Sequence, residues 1–190
     1  MTNQGARQRL TGQSLGAYIL GVAQSGTDCA ECCRVPCDPS TSYLRTDSAT
    51  AVGACVVRNH WGKVFSVCAR RFSHVSSPTI AEALALREAI CLANRLRVSE
   101  PIFEGDAKGI TDAMAAGSGV GLDCDVILQD CRTLVCNFFP LSHSFKFVRR
   151  SLNWAAHSIV GKAFRDHSFC CNTLAQMEWL ESRLCSRNNP

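Results

Sequence analysis

The segment FEGDAKGI, residues 103–110, ends a short apolar stretch on acidic residues and leads directly into a helix-like run. Its aspartate, Asp106, could do one of two things: cap the helix that follows, or hold a divalent metal ion. Mg²⁺ prefers hard oxygen ligands, so a metal site needs other carboxylates within reach of Asp106. The choice therefore depends on which other acidic residues the fold brings to this point.

One such residue is Glu82, in the first turn of a helix predicted over residues 80–97 and opened by Ser77-Pro78-Thr79. At about 100° per residue, Glu82 falls on the apolar stripe of this helix. The other members of the stripe are Leu86, Ala89, Ala93 and Leu96, and the opposite face carries Arg87, Glu88, Asn94 and Arg95. A favourable interaction with the helix macrodipole explains the position of Glu82 in the sequence but not its direction.

The elements around these residues follow from periodicity and turn chemistry. Strands are predicted at 43–47, 52–58, 63–70, 102–104 and 144–149, with a turn at 59–62. Helices are predicted at 80–97, 107–116, 123–138 and 154–165, the last with Asn153 as its N-cap. The order β-β-β-α-β-α-α-β-α predicts an α/β protein with a mixed five-stranded sheet flanked by helices.

Composition sets the broad class. The chain has 190 residues, 46% of them hydrophobic, which suits one domain with tails. We expect a poorly ordered segment at 1–40, a domain at 43–166, and a tail at 167–190 with a short helix at 173–184. No apolar run is long enough to span a membrane, and the net charge of +4 mildly favours an anionic partner.

Thirteen cysteines raise the question of disulfides or zinc. Cys55, Cys68, Cys91, Cys131 and Cys136 lie in apolar periodic segments, where cysteine acts as a small hydrophobe. The run from Cys29 to Cys37 lacks the paired spacing of a structural zinc site. We therefore expect an intracellular, reduced protein, nuclear or cytoplasmic, with an organelle as the alternative.

Five segments in order carry a resemblance to a known family: TDSA (46–49), GACVVRNHWGKV (53–64), SSPTIAEALALREAI (76–90), FEGDAKGI (103–110) and FKFVRRSLNWAAHSIVGKA (145–163). Together they resemble the ribonuclease H-like domains of plants, which are related to the ribonuclease H portion of retroelement reverse transcriptases. The resemblance covers about residues 43–166.

The resemblance implies an enzyme that cuts the RNA strand of an RNA–DNA hybrid with two Mg²⁺ ions, or Mn²⁺ in their place. Its metal-holding positions fall on Asp47, Glu82, Asp106 and His157. Two ions about 4 Å apart activate water on one side of a phosphodiester and stabilise the leaving oxygen on the other. The ordered motifs favour this acidic cluster over a simple helix cap at Asp106.

Three features depart from the family pattern. His157 stands where active members usually have aspartate, Ser48 replaces a glycine, and the link from Asp47 to Gly53 is short. Imidazole is a poor Mg²⁺ ligand, so His157 could assist proton transfer or be an ordinary surface histidine. These departures support an alternative function: an inactive fold that binds nucleic acid or protein. Ala49, where a related 3′–5′ exonuclease needs an acidic residue, argues against that class.

The expected partner is an RNA–DNA hybrid or structured RNA, bound by a monomer. Candidate phosphate contacts are Arg70, Arg71, Lys146, Arg149 and Arg150. Each of them could instead be an ordinary surface charge. Phe145 and Phe147 alternate with Lys146, which suits a stacking surface but is more typical of a core strand.

Overall fold

The computed structural model describes residues 15–24, 50–62, 64–75, 77–166, 178–180 and 182. Within these residues one mixed sheet has the strand order β3-β2-β1-β4-β5. The strands are β1 (Leu15–Gln24), β2 (Ala51–Asn59), β3 (Val64–Phe72), β4 (Ile102–Gly105) and β5 (Ser144–Phe147). Strands β1, β2 and β3 pair antiparallel, whereas β4 runs parallel to both β1 and β5. The predicted α/β class is confirmed.

The helices alternate with the later strands as predicted. They are α1 (Pro78–Arg95), α2 (Lys108–Ala116), α3 (Leu122–Phe138) and α4 (Trp154–Arg165), with a 3₁₀ turn at Arg150–Leu152. In the part of the chain that the structure describes, no helix combines the length and apolar character needed to cross a membrane.

A tight turn joins β2 to β3, as its sequence predicts. Gly62 has a φ of +83°, a conformation that favours glycine, and its amide donates to the Asn59 carbonyl at 2.9 Å. The Asn59 side chain accepts from the Trp61 amide at 3.1 Å, which leaves Trp61 exposed at the tip. Local side-chain and backbone bonds therefore fix this reversal.

Two consecutive arginines of β3 show that helices cover both faces of the sheet. Arg70 binds Glu88 of α1, whereas the next residue, Arg71, donates to the Ala163 carbonyl of α4. Neighbouring residues of a strand point to opposite faces, so α1 and α4 lie on opposite sides of the sheet. Glu88, predicted on the solvent face of α1, is buried at 8% exposure because it pairs with Arg70 at 2.6 Å.

Helix α1 starts at a defined cap and lies very close to the sheet. The Ser77 hydroxyl accepts from the Ile80 amide at 3.2 Å, and Pro78 occupies the first helical turn. At Gly53 of β2, a Cβ atom would lie 2.9 Å from the Ala85 Cβ and 2.9 Å from the Phe72 ring. The missing side chain therefore permits the close approach of the middle of α1 to the sheet.

The central strand β1 differs from the prediction. Residues 1–40 were expected to be poorly ordered, and this is wrong for residues 15–24, which pair with both β2 and β4. The physical reason is that β2 and β4 each have a second edge to pair, beside β3 and β5, and LGAYILGVAQ is apolar enough to lie between them. The predicted strand 43–47 lies outside the described residues, as do most of 173–184 and the Cys29–Cys37 run. The predicted domain boundaries stay predictions.

The core cysteines mostly follow expectation. Cys55 and Cys131 are buried, and burial raises the pKa of both thiols, that of Cys131 to about 12. Cys68 and Cys91 are partly buried. Cys136 is exposed, so the prediction that it belongs to the core is wrong. It lies on the outer side of α3, one position past buried Val135.

Candidate active site

Asp106 lies immediately after β4, which is anchored in the core. Phe103 is 1% exposed, and its ring stacks on Phe145 of the neighbouring strand with centroids 5.3 Å apart. The Val148 amide donates to the Gly105 carbonyl at 2.9 Å, which extends the pairing to the last residue of β4. A rigid strand end therefore presents Asp106, as a precisely positioned functional group requires.

Both carboxylate oxygens of Asp106 accept hydrogen bonds from α4. Asn153 Nδ2 donates to Oδ1 at 2.6 Å, and His157 Nε2 lies 3.0 Å from Oδ2. Burial alone would raise the pKa of Asp106. The hydrogen bond to His157, the charge of His157 and the hydrogen bond from Asn153 instead hold the pKa of Asp106 below its ordinary value. Asp106 is therefore kept in its ionised form.

The helix-cap interpretation of Asp106 is wrong. Helix α2 begins at Lys108 with Ala107 in the N-cap position, and no side chain caps it. The carboxylate of Asp106 is directed to α4 instead, 47 and 51 positions further along the chain. A short-range pattern cannot reveal such a partner.

Glu82 approaches the same point from the second turn of α1. It is partly buried, and burial together with the negative charge of Asp106 raises its pKa to about 8, against a smaller opposing effect of Arg150. Like charges that are close together disfavour joint ionisation. The sequence prediction that Glu82 turns toward the acidic site is consistent with this coupling.

The two carboxylates offer part of a divalent metal site. Hard carboxylate oxygens are the ligands that Mg²⁺ and Mn²⁺ prefer, and a cation between Glu82 and Asp106 would remove the repulsion that raises the Glu82 pKa. Among the described residues, no three histidine, cysteine or acidic side chains converge closely enough to hold a metal. A complete site thus needs a further ligand, and Asp47 lies outside the described residues.

His157 is not an ordinary surface residue. Its side chain is 17% exposed and contacts the 8% exposed Asp106. The sequence brought His157 forward through the family pattern but missed Asn153, which it assigned only to capping. The spacing of four residues between them was the available signal, because residues at i and i+4 share a helix face.

Three of the five predicted nucleic-acid contacts lie in one exposed segment of the chain. Lys146 lies in β5, Arg149 follows that strand, Arg150 begins the 3₁₀ turn before α4, and all three are exposed. Arg150 is close enough to Glu82 for its charge to oppose the rise in the Glu82 pKa. Phe147 is 43% exposed in the same segment, whereas Phe145 packs against the core.

Arg70 and Arg71 are used differently. Arg70 is committed to Glu88, although its side chain is 59% exposed. One guanidinium nitrogen of Arg71 donates to the carbonyls of Ala163 and Phe164, at 2.5 and 3.1 Å, and its charged group lies over the Phe164 ring. Arg71 therefore caps the C-terminus of α4 inside the fold, which removes the support for a phosphate contact there.

A second acidic residue on β4 was also missed. Glu104 lies 3.7 Å from Arg58 of β2 and opposite Lys146 of β5. Burial raises the pKa of Glu104, and the charges of Arg58 and Lys146 partly oppose that rise. These groups form a polar row on the face where Asp106 and α4 meet, since residues two apart on a strand share a face.

The sequence matches one family model, described as reverse transcriptase-like, over residues 39–163. A comparison with curated proteins gave no match. The matched range contains Asp47, Glu82, Asp106 and His157, but it excludes β1.

Solved structures confirm the ribonuclease H fold. The chain resembles ribonuclease H1 from the archaeon Halobacterium salinarum, with 16% identity, a TM-score of 0.56, and coverage of 80% of this chain and 98% of the other. The N-terminal ribonuclease H domain of a Mycobacterium tuberculosis protein matches at 16% identity and a TM-score of 0.58, covering 80% and 95% of the two chains. LC11 ribonuclease H1, solved in complex with an RNA/DNA hybrid, matches at 14% identity and a TM-score of 0.58. The match covers 80% of this chain and 98% of the other.

Proposed function

We propose that this chain, which belongs to the reverse transcriptase-like family, is a metal-dependent ribonuclease that cuts the RNA strand of RNA–DNA hybrids. The observation that carries the proposal is the coupled pair Glu82 and Asp106 beside an exposed cationic segment. One solved ribonuclease H1 of the same fold was captured on an RNA/DNA hybrid. We further propose a monomer related to plant and retroelement members of the family.

In this proposal Glu82, Asp106 and Asp47 hold Mg²⁺ or Mn²⁺. The metal supplies activation of water and stabilisation of the leaving oxygen. Asn153 and His157 hold the two oxygens of Asp106 and keep its carboxylate ionised. Because Glu82 is largely buried, little water surrounds its carboxylate. The carboxylate therefore interacts more strongly with any cation than it would in solvent.

Lys146, Arg149 and Arg150 contact the phosphates of the substrate in this proposal. Their exposed charges would position the scissile strand against the carboxylates without reading base sequence. Phe147 provides an exposed ring in the same segment for a base or sugar.

A second candidate function has its own support. The central strand β1 carries no acidic residue, and the described residues hold no group of three potential metal ligands. Both findings fit an inactive fold that binds hybrid or structured RNA, or a protein partner, without cutting.

The test is cleavage of an end-labelled RNA–DNA hybrid by the full chain in Mg²⁺ and in Mn²⁺, with Asp106→Asn as the matched variant. We expect cleavage that the substitution abolishes while hybrid binding in EDTA is retained. Binding without cleavage, equal in both proteins, would replace the ribonuclease with the binding module. Folded protein that neither binds nor cuts would contradict both.

A further inference from the structure

Asn153 occupies the N-cap position of α4 but does not cap it. Asparagine at this position normally accepts a hydrogen bond from an amide of the first turn, which stabilises the helix. Here no side-chain cap bond is formed, and the residue has φ −94° and ψ 8° instead of the extended backbone typical of an N-cap. The helix therefore forgoes a stabilising contact that its own sequence offers.

The side chain is turned toward Asp106 instead. Its amide nitrogen donates to Asp106 Oδ1 at 2.6 Å, and the whole residue is only 2% exposed. The side-chain amide oxygen of Asn153 itself is buried and has no hydrogen-bond partner among the described residues. Leaving a buried polar atom unsatisfied costs free energy, so the bond to Asp106 is made at the expense of local stability.

Asn153 and His157 act on different oxygens of one carboxylate. Asn153 directly precedes α4 and His157 lies four positions later in its first turn, so the start of the helix delivers a donor to Oδ1 and a ring nitrogen to Oδ2. Two contacts of this kind fix the plane of the carboxylate, whereas one contact would leave it free to rotate. The remaining lone pairs then point in a defined direction.

We propose that Asn153 is a positioning residue that fixes the Asp106 carboxylate for metal binding and gives up the cap of α4 to do so. The inference rests on the proposed function, because it concerns how the same site holds its metal. Groups that orient a metal ligand in this way commonly contribute about 10- to 100-fold to metal affinity. Sites that trade local stability for geometry are expected where function requires a fixed orientation.

The experiment measures Mn²⁺ binding to the full chain by electron paramagnetic resonance of the free ion, together with the thermal midpoint. The variants are Asn153→Ala, Asn153→Ser and Asp106→Asn, and Asn137→Ala is the control because Asn137 is exposed on α3. Serine is too short to reach Asp106 but is a good N-cap. It therefore separates helix stability from positioning.

We expect Mn²⁺ affinity to fall about tenfold or more in both Asn153 variants. We also expect Asn153→Ser to melt at a higher temperature than Asn153→Ala, and Asn137→Ala to match the parent protein. Parent-like Mn²⁺ affinity in folded Asn153→Ser would overturn the inference and leave the ribonuclease proposal intact. Mn²⁺ binding that is absent from the parent, or unchanged in Asp106→Asn, would overturn the proposed metal site and the inference with it.

Discussion

The neighbouring parallel strands β1 and β4 differ in length, in their place relative to the family match, in whether the sequence predicted them, and in the acidic residue that they bring to the site. Strand β4 has four residues, lies inside the family match, was predicted from sequence, and is followed directly by Asp106. Strand β1 has ten residues, lies outside the match at residues 39–163, was not predicted, and carries no acidic residue. They meet at the single register pair Tyr18 and Glu104.

The backbone pairing at the centre of the sheet and the carboxylate of the proposed site therefore come from different parts of the chain. Strand β4 delivers a carboxylate that two side chains of α4 hold in place. Strand β1 supplies backbone pairing to both of its neighbours and no ligand. The proposed third ligand, Asp47, must therefore reach the site from outside the strand that occupies the centre of the described sheet.

The largest expected effect comes from removing β1. Deleting residues 1–24 should abolish cooperative unfolding, because β2 and β4 would each lose their partner in the middle of the sheet. Circular dichroism and thermal melting would measure this, and a deletion of residues 1–14, which retains β1, is the control. A folded deletion variant would show that another segment fills the centre, and the predicted strand 43–47 would be the first candidate.

The next effect tests the chemistry on the β4 side. Asp106→Asn should lower hybrid cleavage at least about a hundredfold, since a metal ligand contributes several kcal/mol to such a transition state. Asp47→Asn should lower it by a similar factor if Asp47 completes the site. Cleavage rates at saturating Mg²⁺ decide the matter, and an Asp47→Asn variant with full activity would remove Asp47 from the proposed ligands.

Glu82 should give the folded protein a distinctive pH dependence. Its ordinary pKa is 4.5 and its folded value is about 8, so between these values the folded chain holds a proton that the unfolded chain has released. The free energy of unfolding should therefore fall as the pH rises from about 4.5 to about 8 and then level off. Glu82→Gln should flatten this window and be more stable than the parent above pH 8, by about 1–3 kcal/mol.

Denaturant unfolding at several pH values measures the effect of Glu82. Exposed Glu100→Gln is the matched control and should follow the parent. Mg²⁺ at pH 8 should recover part of the stability lost by the parent but not alter Glu82→Gln. A parent protein with no pH dependence in this window would contradict the coupling of Glu82 to Asp106.

The smallest expected effects distinguish Arg71 from Arg150, which the sequence analysis both predicted as phosphate contacts. Arg71→Ala should cost about 1–2 kcal/mol of stability by releasing the last carbonyls of α4, with little change in hybrid affinity. Arg150→Ala should leave stability almost unchanged and reduce the salt dependence of hybrid binding by about one phosphate contact. Melting curves and binding titrations at several salt concentrations compare them, and the reverse pattern would contradict both assignments.

Much of the fold was predictable because it depends on local pattern. The hairpin around Gly62, the cap at Ser77 and helices α1 to α4 follow from turn residues and apolar spacing. Asp106 was found because it directly follows a short strand that holds the buried Phe103. These features need only neighbours in sequence.

What the sequence did not reveal depends on distant partners. Arg71 looked like a surface cation until α4 packed over it, and Asn153 looked like a helix cap until Asp106 lay beside it. Strand β1 was missed because its apolar residues do not state which strands they pair with. A pattern read along one segment cannot rank two segments that compete for one position in a sheet.

The central position of β1 also has a consequence for folding while the protein is being synthesised on the ribosome. Strand β1 emerges before the other described strands, yet its second partner, β4, follows only after the β2–β3 hairpin and α1. During that interval one edge of an apolar ten-residue strand stays unpaired, which is the state most prone to join a neighbouring nascent chain. Slowing translation between residues 60 and 100 should therefore lower soluble yield, and a chaperone that shields strand edges should recover it.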